Sequence, residues 1–181
     1  MNCRGAGGII DGMEMRKTWI RILTTTMTIG MMALIFFFST EPAVKSDSTS
    51  GIIAERAADV VRPGWRKMPV KERKTFFDQV QHVVRKCAHF TEFMLLGFSM
   101  RLCLESWMGK RKPLSGLAWA GGTIYAALDE MHQSMVDGRS AQIRDAGIDC
   151  AGVLAGVLLA VMLTRLTGRR KNNESKEDTG T

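Results

Sequence analysis

Signatures of metalloprotease, dithiol and nucleotide chemistry are missing from this chain: it has no His-Glu-x-x-His, no Cys-x-x-Cys and no phosphate-cradling glycine loop. Four cysteines in 181 residues are too few for a disulfide-stapled scaffold, and four prolines with 18 glycines exclude a collagen-like or Pro/Gly-rich chain. The net charge of +7 comes without a nucleic-acid recognition motif, and the bases flank apolar runs, which excludes a soluble nucleic-acid binder. What is present is unevenly spread. The hydrophobic fraction of 45% and mean hydropathy of -0.03 would suit a soluble protein. Yet about 80 residues fall into four apolar blocks, with the charges between and beyond them.

The clearest block, Thr18 to Phe38, has Arg21 as its one charge. At ~1.5 Å per residue it is long enough to cross a ~30 Å hydrocarbon layer. It is too long for a signal peptide and no small-x-small cleavage site follows Ser39, so it reads as an uncleaved anchor. The 14 residues before Met15 carry no pattern, and Met15-Arg16-Lys17 reads as an alternative start. Ala88 to Trp107, Leu114 to Met131 and Ala146 to Leu166 are less pure, holding His89, Glu92, Arg101, Asp129, Glu130, Asp149 and Arg165. Each charge at mid-bilayer would cost ~2.5–3.5 kcal/mol, but all except Arg101, which is expected to snorkel, lie near a block end.

The expected fold is an all-α integral membrane protein, an antiparallel four-helix transmembrane bundle spanning 18–166 between an N-terminal cytoplasmic segment, 1–17, and a disordered polar tail, 167–181. Lys110-Arg111-Lys112, Arg169-Arg170-Lys171 and Arg16-Lys17 place both termini in the cytoplasm, although the first external segment, 39–86, holds ten Lys/Arg against six Asp/Glu. In that segment Pro69 opens an expected interfacial helix with Val70, Phe76, Phe77, Val80, Val83 and Val84 on one side, lying on the membrane surface and leading into the second span, the alternative being a surface-packed connector with no lipid role. A weaker apolar stretch runs through Ile52, Ile53, Ala57, Val60 and Val61. Cys87 and Cys150 fall at one level, where an oxidising exterior would bridge them if their helices touched; free, buried thiols are expected.

Crossing parity brings distant polar residues together. The end of span one, the start of span two, the end of span three and the start of span four share one side of the bilayer. They carry Ser39; Arg85, Lys86, His89 and Glu92; Asp129, Glu130 and Gln133; and Arg139, Arg144, Asp145 and Asp149. Arg85, His89 and Glu92 share a helical face. Ala118, Gly122, Ala126 and Glu130 form one small-residue stripe ending in an acid, and Asp145, Asp149, Gly152 and Gly156 another. Any one of these residues has an ordinary structural role open to it, an interhelical salt bridge or a helix-dipole partner. As a cluster of intramembrane polar groups, Arg85, Lys86, His89, Glu92, Asp129, Glu130, Gln133, Arg139, Asp145 and Asp149 form a candidate polar pocket.

The chain resembles the VanZ-like family, named for a glycopeptide (teicoplanin) resistance protein. The resemblance rests on Phe38-Ser39 followed by Ser46 and Ser50, on Arg85-Lys86-Cys87-Ala88-His89-Phe90-Thr91-Glu92-Phe93 with Leu96-Gly97, and on Asp129-Glu130-Met131-His132-Gln133. It continues through Gly138-Arg139-Ser140 and closes with Asp145, Asp149 and Gly152. It implies a four-span bacterial membrane protein with a polar site including His89, Glu92, Asp129, Glu130, Gln133, Arg139 and Asp145, but no settled reaction and no cofactor. Phe93 stands where the family commonly has Tyr, and the basic connector from Arg56 to Lys74 is not a family feature.

The leading functional expectation is a non-enzymatic cell-envelope protein whose outward pocket binds a membrane lipid headgroup, a lipid-linked envelope precursor or a glycopeptide, contributing to glycopeptide resistance. Arg85, Lys86, Arg139 and Arg144 would meet phosphate. The alternative is an intramembrane hydrolase or phosphoryl transferase using His89 with Glu92, or Asp129 with Glu130, as acid and base or around a divalent cation. A monomeric pore is disfavoured because the charges sit at one end; a homo-oligomer stays open.

Overall fold

A computed structural model describes residues 4–40, 43–111, 113–136 and 143–177, with side chains for 12–40, 50–111, 113–136 and 145–168. Among them are five α-helices, one 3-10 turn and no strand: α1, Arg4–Ser39; α2, Ala43–Val61; the turn Trp65–Lys67; α3, Val70–Met108; α4, Leu114–Gln133; and α5, Ile143–Glu177. The all-helical expectation holds.

Local chemistry sets the boundaries. Gly64, at φ 85°, supplies the left-handed residue that turns the chain after α2. Pro69 precedes the first turn of α3, where its missing N–H costs nothing. Gly109, at φ 71° and ψ -177°, ends α3 while its N–H donates to the Glu105 carbonyl at 2.9 Å. At the far end α5 continues to Glu177, past Lys171 where composition predicts disorder. Arg, Lys and Glu are good helix formers, and extending an existing helix needs no new nucleus. In the same way α1 begins at Arg4, ahead of its apolar run.

α1, α3, α4 and α5 form the bundle, each antiparallel to the next of the four. The closest packing is between α3 and α5, which run parallel. Small residues permit it: a Cβ on Gly152 or Gly156 would strike the backbone carbonyl of Phe90 or Met94, and one on Gly97 the backbone of Val153. The core beside this seam is Ile35, Phe93, Leu96, Ala118, Ala126, Val153 and Val157. Fully buried Phe93 lies 6.4 Å from the Tyr125 ring, and its truncation to Ala would cost about 3–5 kcal/mol.

Two expectations change. First, α3 is one uninterrupted helix of 39 residues, about 58 Å at 1.5 Å per residue, with no Gly or Pro before Gly97. The stretch opened by Pro69 is therefore the first half of the same helix that carries the second apolar block. Part of its apolar side, around Phe76 and Phe77, packs on the chain, while Val70 and Val83 stay exposed. Ala54 and Ala58 of α2 are fully buried, and Trp65 stacks on Phe77 at 5.5 Å with its Nε1 donating to Asp59 at 2.9 Å. Gln81 Nε2 donates to Ser50 Oγ at 3.2 Å, closing the lower part of this α2–α3 hairpin. Second, Arg101 does not snorkel: it is 7% exposed, pairs with Glu105 at 2.8 Å and donates to Ser115 Oγ at 3.2 Å.

Two helices among the described residues are long and apolar enough to cross a membrane, Gly12–Ser39 and Asp145–Gly168. The other two expected spans lie on α3 and α4, whose charged, small and polar residues dilute the apolar ones.

Candidate functional site

The helix ends expected to share a level do meet. Gln133, in the last turn of α4, donates from Nε2 to Asp129 Oδ2 at 2.7 Å and to Ser39 Oγ, at the end of α1, at 3.1 Å. On the other side of α4, Asp149 of α5 faces His89 of α3, with Oδ1 3.9 Å from Nδ1. That gap is too long for a hydrogen bond. Asp149 also lies within electrostatic reach of Asp129, Glu130, Asp145 and Lys86. One turn outward, Lys86 and Asp145 form an ion pair.

Burial separates these residues into a layer and a rim. Asp149 is 1% exposed, and Ser39, Asp129, Glu130 and Gln133 are also buried. Lys86, Asp145 and His89 keep 21%, 22% and 22% of their side chains exposed. Arg85 and Glu92 are partly buried on α3 and both make interactions. The side chain of Arg144, and all of Arg139, lie outside the described residues. Sequence reasoning left Ser39 off the candidate set although Phe38-Ser39 sits at the exit of the first span; its partner, Gln133, is 94 positions away and only the fold reveals it.

The layer is rich in acceptors. Asp129, Glu130 and Asp149 are buried carboxylates, and Arg101 is the one buried Lys or Arg among the described residues, at the opposite end of the bundle. Asp149 Oδ1 has no hydrogen-bond partner, and neither does His132 Nε2, whose ring stacks on Phe36 at 4.8 Å. A buried polar atom left unpaired in this way marks either a cost to folding or a place where something binds. The described residues contain no group of three or more His, Cys, Asp and Glu arranged to hold a metal ion.

Beside the layer, on the outer face of the α3–α5 seam, a groove of about 420 Å³ is lined by His82, Val83, Lys86, Cys87, Phe90, Thr91 and Ile148. Lys86 belongs to both the groove and the rim. Cys87, Cys103 and Cys150 are free thiols; Cys87 is exposed rather than buried, because it points away from the seam into this groove.

Comparison with curated proteins and with solved structures finds no match. A family match is found, over residues 24–164, and it takes in Ser39, the α3 segment from Arg85 to Gly97, the end of α4 and the start of α5. The chain belongs to the VanZ/LLP1 family.

Proposed function

We propose that this VanZ-family protein is a multi-pass protein of the bacterial cytoplasmic membrane whose four bundle helices cross the bilayer, both termini inside, and whose acid-rich end binds the polar head of an amphiphile. The ligand is a membrane lipid headgroup, a lipid-linked envelope precursor or a glycopeptide, and the effect on glycopeptide susceptibility follows from that binding. Support for four crossings comes from the outer faces. Leu154, Leu158, Met162 and Leu166 on α5 are exposed at four-residue spacing, and Leu117, Ile124, Leu128 and Met131 are exposed along one side of α4, a helix too polar on average to qualify by hydropathy. Apolar surface of that extent is stable against lipid and not against water.

The observation that carries the binding reading is the burial of Ser39, Asp129, Glu130, Gln133 and Asp149, from three helices, at one level of the bundle. In lipid, polar side chains that only staple helices form closed pairs, as Arg101 and Glu105 do. This layer is left open at Asp149. The hydrolase reading draws no comparable support, since no metal-holding group of side chains occurs among the described residues and no nucleophile motif is present.

Two measurements test the proposal. Single-cysteine proteins in intact cells, treated with a membrane-impermeant maleimide, should label at Cys87 and stay unlabelled at Cys103, near the opposite end of α3; the reverse pattern would invert the topology. The purified full chain in nanodiscs should retain specific lipid by native mass spectrometry, and an Asp129→Asn/Glu130→Gln protein should retain at least fivefold less. Equal retention by the two would overturn the reading.

A further inference from the structure

We infer that the tip of the α2–α3 hairpin is a separate binding site, a cleft for a phosphate-bearing chain of hydroxylated units, a phosphate-linked saccharide or polyol of the cell envelope. It does not draw on the acid-rich end; only its placement outside the membrane rests on the topology proposed above.

The basic connector is the stretch that the family resemblance leaves unaccounted for, and its charges are not neutralised where they stand. Arg66 meets Glu55 at 3.5 Å and Asp59 at 3.2 Å and lies over the Trp65 ring, so those two acids of α2 are answered from the turn. Arg62, Lys67, Lys71 and Lys74 stay exposed, and their side chains make no hydrogen bond or ion pair among the described residues. Arg62 and Lys71 line one cleft of about 380 Å³, between the end of α2, the turn and the first turns of α3. Packing fixes its walls. Trp65, 6% exposed, holds its ring 6.0 Å from that of Phe76, and Phe76 with Met68 gives the cleft an apolar side. Glu72, Thr75 and Gln79 give it a polar one.

Each wall has a chemical counterpart. Arg and Lys meet phosphate, Arg through paired N–H donors. The Glu72 carboxylate accepts hydrogen bonds only, so it suits hydroxyl donors, while the Gln79 amide both donates and accepts. The apolar side suits the C–H face of a sugar or polyol. A bare phosphate would use the bases alone, an acidic peptide would set more carboxylates against Glu72, and an uncharged saccharide would leave both bases unanswered. A phosphorylated polyhydroxyl chain matches all three walls. Position favours a polymer over the heads of the same bilayer, because Lys71 lies about 25 Å along α3 from Ala88, where the second apolar block begins.

The test uses the full chain in phosphatidylcholine nanodiscs at about 0.15 M salt, where exposed charges are screened beyond ~8 Å. A glycerol-phosphate oligomer, polyglutamate of equal charge and an uncharged dextran are titrated by biolayer interferometry. The oligomer should bind about tenfold more tightly than either control. Arg62→Gln/Lys71→Gln, which alters exposed side chains only, should bring it to the level of the controls, while Arg56→Gln/Lys74→Gln, off the cleft, should keep most of the binding. Polyglutamate binding as tightly, or equal losses from the two variants, would reveal diffuse charge attraction and overturn the inference. Phosphatidylglycerol nanodiscs separate the sources of phosphate. Unchanged binding of the oligomer supports the polymer, whereas its abolition would mean that the bilayer's own heads fill the cleft and would overturn the assignment. No binding of any probe would overturn the inference and leave the acid-rich end untouched. Inverted labelling of Cys87 and Cys103 would place the cleft inside the cell and overturn an envelope polymer as its occupant, even where the oligomer binds.

Discussion

At one end of the bundle Arg101 and Glu105 lie 2.8 Å apart, shielded from solvent, with Ser115 taking a further guanidinium hydrogen bond. Nearby Arg21 donates to the Ser106 carbonyl at 3.1 Å and lies over the Trp107 ring, while Trp107 Nε1 donates to Thr25 Oγ1 at 3.1 Å. Twelve residues back along α3, about 18 Å away, the other end buries Asp129, Glu130 and Asp149, with Gln133 bonded to Asp129 and to Ser39. Both ends bury charge and both draw on several helices. The first is balanced within itself; in the second, Asp149 Oδ1 has no hydrogen-bond partner. A closed pair needs nothing from outside to be tolerated in a low-dielectric interior, whereas a layer with an unpaired buried acceptor holds its charge at a cost that a proton or a ligand must offset. That difference, rather than the mere presence of charge, separates a helix staple from a site.

The contrast breaks most visibly at Arg101. Arg101→Ala strands Glu105 and should cost about 3–5 kcal/mol, seen as a large fall in thermal midpoint in detergent, while an Arg101→Leu/Glu105→Leu protein should recover most of it. If the single substitution is tolerated, the balanced end is not a staple. Next in size is Gly152→Val, one turn below Asp149: its side chain would meet the Phe90 carbonyl and push α5 from α3, for about 1–3 kcal/mol and with loss of lipid retention. Asp149→Asn should behave in the opposite sense to Arg101→Ala. Removing a buried carboxylate whose Oδ1 has no hydrogen-bond partner should leave the thermal midpoint equal or higher, while specific lipid retention falls. Destabilisation of the same size as at Arg101 would erase the distinction between the two ends.

Much of this was legible before any coordinates. Apolar blocks located the bundle helices, parity alone put Ser39, His89, Gln133 and Asp149 at a common end, and the four-residue stripes named the buried faces: Ala118, Gly122, Ala126 and Glu130 are all buried. The misreadings have physical causes. Arg101 was treated as a lone charge away from a block end, although Glu105 stands at i+4 and was the available signal; Ser115, on the next helix, was not. The apolar side of early α3 was open to lipid or to the chain, because a period in the sequence shows that a face is apolar, not what covers it. Trp65, brought round by Gly64, packs on Phe76 and Phe77, and Val70 and Val83 stay exposed. The continuity of α3 was readable from the lack of a breaker between Val70 and Leu96.

The smallest expected effect sits at Ser39 and sharpens where the site ends. The Gln133 amide has two N–H donors, one committed to Asp129 and one to Ser39. Ser39→Ala leaves one donor unpaired and should cost about 0.5–1.5 kcal/mol, whereas Gln133→Leu removes both bonds, leaves Asp129 short of a donor and should cost about 1–3 kcal/mol. If Ser39 serves only to orient Gln133, binding should follow the same order as stability, with Ser39→Ala the milder in both. Should Ser39→Ala leave the thermal midpoint almost unmoved and yet abolish lipid retention, the hydroxyl touches the ligand itself. The layer would then extend from α5 across α4 to α1, and the bound head would lie closer to the centre of the bundle end than to the α3–α5 seam.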